Sequence, residues 1–172
     1  MTRFGIIKAV AAAVATAAVA TAAVVAGPAL AGGAVSAKTV AFTASYSGKA
    51  TVKIAGSKAD ISAAATGTGT LIGKSKLSGK GVGSAVEPCP LFGGPATITT
   101  AGGAKLNFVI TASGGSACTD EDAQTFSLLG RATFKGGTGK YVRAKGSFKF
   151  TGIYDRGNGL FSVKFRGTLT IV

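Results

Sequence analysis

The chain has 172 residues, with 19 Lys and Arg against 6 Asp and Glu, and it contains no histidine. That absence removes the commonest general base, nucleophile activator and metal ligand, so Ser-His or Cys-His catalysis is excluded from the start. Tryptophan is absent too, and most of the ten phenylalanines fall on apolar strand phases, which argues against exposed stacking platforms for nucleic acid or carbohydrate.

The first 31 residues read as a signal peptide. Arg3 and Lys8 form a positive start, Ala9 to Ala26 is an uncharged Ala/Val run, and "GPALA" closes it. Ala29 and Ala31 are the small residues that signal peptidase needs, so cleavage is expected after Ala31. The run approaches the ~18–20 apolar residues of a membrane anchor. Alanine is only weakly hydrophobic, however, and a good cleavage site follows. The expectation is an exported, secreted protein with no membrane span after cleavage and a single mature domain over residues 32–172. A domain of that size buries roughly two-thirds of its unfolded surface, enough for one core.

Along the mature chain no stretch has a helical period. Strands with one buried face alternate with period two, and this pattern recurs in "VAFTASY", "ATVKIAG", "ADISAAATG", "GTLIGKSKLSG", "ATITTAG" and "KLNFVITA". "TFSLLGRATF" follows, with Phe126, Leu128, Gly130, Ala132 and Phe134 on one side. "KGSFKFTGIY" sets Phe148, Phe150, Gly152 and Tyr154 against Ser147, Lys149, Thr151 and Ile153. In "LFSVKFRGTLTIV", Phe161, Val163, Phe165, Gly167, Leu169 and Ile171 share a face. Turns are expected at Ser47-Gly48, Gly56-Ser57, Gly102-Gly103 and the segment 155–159. Eight or nine short strands without helices predict an all-β fold, a closed antiparallel eight-stranded barrel or alternatively a β-sandwich. Glycines inside strands, at Gly130, Gly146, Gly152 and Gly167, favour the barrel, whose corners need bends and close backbone approach. Small residues on the inward phase, such as Ala50, Ala59, Ala63 and Ala65, would leave room for a cavity.

Two segments break the alternation, "SAVEPCPLFGGP" and "SGGSACTDEDAQ", and each carries one cysteine. Cys89 and Cys118 follow an export signal and are even in number, so a disulfide pinning two long loops at one barrel mouth is expected. Two cysteines without histidine cannot form an ordinary structural zinc site. The acids of "TDED" do not have the spacing of an EF-hand loop. No metal or cofactor site and no catalytic constellation is therefore expected.

Setting aside Arg3 and Lys8 leaves 17 basic side chains against 6 acidic ones, a net charge of +11. Such a surface attracts polyanions. The lysines are spread singly along alternating strands, however, and lysines on solvent faces keep sheets soluble and block edge pairing. Solvation is the first reading and attachment to an anionic cell-wall polymer the second.

"GGTGKYVRAKGSFKF" raises a last question, whether its glycines cradle phosphate. A P-loop needs G-x-x-x-x-G-K followed by Ser or Thr. Tyr141 follows Gly139-Lys140 and Phe134 stands five before Gly139, so the match fails and a turn remains. The stretch resembles the "GGTGkf..A.G" signature of the dirigent and allene-oxide-cyclase-like barrel superfamily, through Phe134, Gly136, Gly137, Thr138, Gly139, Lys140, Tyr141, Ala144 and Gly146. The resemblance implies an eight-stranded antiparallel barrel whose relatives act on small molecules within the barrel using inward acids. Here Asp60 lies opposite the apolar phase of its strand, Asp155 lies in a turn, and the other acids lie in the cysteine segments. The expected function is a secreted, noncatalytic barrel that binds a small apolar ligand. The alternatives are a cationic wall-associated protein and a dirigent- or cyclase-type enzyme.

Overall fold

Alternation of apolar inward and polar outward side chains carries eight strands around a closed ring. The computed structural model describes residues 36–86, 88–119 and 124–172; the predicted signal peptide lies outside them. The strands are β1 (Lys38–Ala55), β2 (Lys58–Gly69), β3 (Gly73–Ser84), β4 (Leu91–Thr100), β5 (Lys105–Thr119), β6 (Thr125–Gly137), β7 (Lys145–Asp155) and β8 (Leu160–Ile171). Each pairs antiparallel with the next, and β8 closes onto β1 from Lys38↔Ile171 to Lys49↔Leu160. The fold is therefore the closed barrel, not the sandwich. Closure explains why singly amphipathic strands are stable here: every inward phase faces the others.

Three boundaries differ from expectation. Ser47-Gly48 is not a turn, because β1 runs straight through it for 18 residues. Gly48 is needed there for space, since a Cβ would strike the Ala64 carbonyl and the Ala65 side chain. "GTLIGKSKLSG" is not one strand: the β2–β3 turn falls within it, with Leu71 at φ 66°. The cysteine segments are shorter loops than predicted. β4 begins at Leu91, and β5 continues to Thr119 with irregular pairing between Val109 and Gly115. These segments hid their strands because glycine and proline occupy positions where alternation is normally read.

The interior has two unlike halves. One end of the barrel holds the β2–β3, β4–β5 and β6–β7 connections and is filled. Phe42, Ile98, Leu106, Tyr141 and Leu169 there are fully buried. Phe148 lies at the centre of a ring cluster, against Phe42, Phe108, Phe134 and Phe165 at centroid distances of 4.6–5.7 Å. Large rings sit opposite glycines across the strands, with Phe42 and Phe148 both paired to Gly167 and Phe150 paired to Gly130. A Cβ on Gly130 would overlap the Phe150 ring. The interior glycines thus make room for rings that a uniform set of larger residues would exclude.

Candidate functional site: a half-hollow barrel

Toward the other end the inward phase shrinks, and a cavity of about 560 Å³ opens at the mouth. Ala50, Ala59 and Ala63 line it from β1 and β2, as the small-residue pattern predicted. Ala65 instead lies in the buried core. The sequence reading missed the β3 contribution. Gly79, Gly81 and Gly83 take three successive inward positions, and Gly93 and Gly94 follow on β4. That signal was legible in principle as glycine at period two in "LSGKGVG". Phe92, Phe108, Phe150 and Phe165 give the cavity aromatic walls.

Few polar groups join this lining, Ser84, Thr119, Tyr154 and Arg156 among them. Tyr154 packs against Phe126, which also faces the cavity, with ring centroids 6.0 Å apart and the planes tilted. No described acid lines it. Asp60 is exposed on the outward phase between Ala59 and Ile61. The Asp155 carboxylate accepts hydrogen bonds from the Gly157 N–H at 2.8 Å and the Asn158 side-chain amide at 2.6 Å, so it shapes the β7–β8 turn. Glu87, Asp120, Glu121 and Asp122 lie outside the described residues.

Cys89 and Cys118 form a disulfide. It ties the β3–β4 connection to the end of β5. Their neighbours Pro90, Ala117 and Thr119 line the cavity, so the bond holds part of the rim in place.

The "GGTGK" motif works at the opposite end. A 3₁₀ turn, Gly139–Tyr141, swings Tyr141 under the barrel, where its ring is fully buried. The Tyr141 hydroxyl donates to the Leu71 carbonyl at 2.9 Å, and Lys140 Nζ donates to the same oxygen at 3.1 Å. One motif thereby pins the β2–β3 turn and closes the floor. Beside it the Tyr46 hydroxyl hydrogen-bonds Ser75 at 2.8 Å, and burial pushes the Tyr46 pKa up to about 12. Ala144 is buried, and Thr138 Oγ1 accepts from the Lys105 N–H at 2.8 Å.

The two paired glycines, Gly136 and Gly137, differ from each other. Gly136 has φ 75° and Gly139 φ 59°. Gly137 is among the residues of β6, and what it supplies is space: a Cβ would strike the Lys105 carbonyl. Gly146 lies within β7 at φ 125°, so the motif is part turn and part strand. Gly137→Val should therefore cost on the order of 1–3 kcal/mol or more, because backbone on both sides must move. A melting temperature equal to wild type would contradict this account.

No family model, curated protein or solved structure matches this chain.

Proposed function

We propose that this protein is an exported, noncatalytic barrel that holds a small apolar ligand in the open half of its interior. The observation that carries this reading is the cavity of about 560 Å³, walled by small aliphatic and aromatic groups. Its volume falls in the ~300–1,000 Å³ range of small-molecule sites. The few polar groups in its lining fit a ligand with a largely apolar body. The described acids, Asp60 and Asp155, are outward or committed to a turn, which favours binding over dirigent- or cyclase-type chemistry. The barrel by itself does not assign the chain to that superfamily. Export is supported by the N-terminal pattern and is compatible with a disulfide, a bond that persists in oxidising compartments.

A neutral naphthylamine fluorophore tests the reading. It should bind saturably at one site, and Ala63→Phe, which projects a ring into the void, should weaken it at least tenfold. The substitution fills empty space, so any loss of stability should stay below the ~1–3 kcal/mol typical of overpacking a filled core. Absence of saturable binding to the wild type would remove the proposal.

A further inference from the structure

The pairing of β6, β7 and β8 places three cations in a line across the outer wall. Arg131 is directly opposite Lys149, and Lys149 is directly opposite Arg166. All three are exposed, on outward positions flanked by the buried Ala132, Phe148, Phe150 and Phe165. Opposed side chains on one sheet face start ~4.5–5.5 Å apart at Cβ, and like charges in that relation are destabilising. Neighbouring outward positions hold Thr133, Ser147, Thr151 and Thr168, so the wall does not require a charge at each of these places.

Among the described residues no acid answers the row. β6 and β8 contain none, and the single acid of β7 is its last residue, Asp155. The other described acid is Asp60, near the mouth end of β2. The two described acids, Asp60 and Asp155, thus stand toward the mouth, while the described side chains at the middle of this wall are cationic or uncharged. On the far side of Arg166 the surface continues into a polar groove, where Lys164 and Arg166 face Thr43, Ser45, Thr68 and Thr70.

We propose that the Arg131–Lys149–Arg166 row and the groove beside it form a binding site for a linear polyanion, a carbohydrate or polyol polymer with phosphate or carboxylate groups at regular intervals. A row of fixed cations matches repeating anions, and the adjoining hydroxyls suit the polar backbone between them. Nucleic acid is disfavoured because single strands are held by stacking on aromatic side chains. The large exposed hydrophobics among the described residues are aliphatic. The site depends on the outer wall alone, so it stands or falls separately from the cavity.

The probe is soluble poly(glycerol phosphate), titrated at several salt concentrations. Replacing Arg131, Lys149 and Arg166 together by Gln should weaken binding at least tenfold and flatten the dependence of log K on log salt, since fewer counterions are released. Replacing Lys74, Lys76 and Lys80 by Gln removes the same charge from β3 and should leave affinity within twofold. The first triple variant should melt no lower than wild type, because it relieves repulsion, which separates lost binding from lost folding. Equal losses in the two variants would reduce the effect to net charge and overturn the site. Failure of the wild type to bind at low salt, or tighter binding of a single-stranded oligonucleotide than of the polymer, would overturn it as well.

Discussion

Phe148→Ala should lower the unfolding free energy by about 3–5 kcal/mol, the range for removing a buried aromatic ring from a packed core. The ring is 2% exposed and contacts four others, with Phe165 closest at a centroid distance of 4.6 Å. Aromatic pairs of this kind contribute ~0.5–1.5 kcal/mol each beyond the area they bury. Relaxation cannot recover much of the loss, because the surrounding wall is a closed hydrogen-bonded ring that resists collapse into the hole. For a domain of this size the melting temperature should fall by roughly 10–20 °C. Chemical denaturation with unchanged m-value would report the same loss. A cost under about 1.5 kcal/mol would mean that the filled half is not the stabilising core.

Reduction of the Cys89–Cys118 disulfide should cost about 3–4 kcal/mol, the chain-entropy value for a loop closed across the observed separation of 29 residues. The double variant Cys89→Ala, Cys118→Ala should reproduce that loss. Because Pro90, Ala117 and Thr119 line the cavity beside the bond, the same variant should also weaken binding of the naphthylamine probe. Iodoacetamide should label neither cysteine until the folded protein is reduced. Labelling before reduction would refute the bond.

The β-barrel was legible because period-two alternation survives in β6, β7 and β8, where every inward position expected from the sequence is turned inward. It failed where glycine stands for a side chain. Ser47-Gly48 looks like a turn in a list of residues and is a crossing point of close-packed strands in the barrel. "LFGGP" and "SGGSAC" look like loops and are irregular strands. A glycine's role depends on what lies within about 4 Å of its missing Cβ, and in a barrel that neighbour is on another strand.

The amino-acid sequence by itself determined the all-β class, the absence of histidine chemistry, the pairing of its two cysteines and the mismatch of "GGTGK" to the P-loop pattern. Each follows from residue type or from spacing within one segment. Only the tertiary structure decided that the barrel is filled at one end and hollow at the other, since that depends on which inward residues share a level. It also decided the charge pattern. Arg131, Lys149 and Arg166 are isolated cations in three separate strands until antiparallel register sets them side by side, because lateral neighbours in a sheet are chosen by strand pairing and not by distance along the chain.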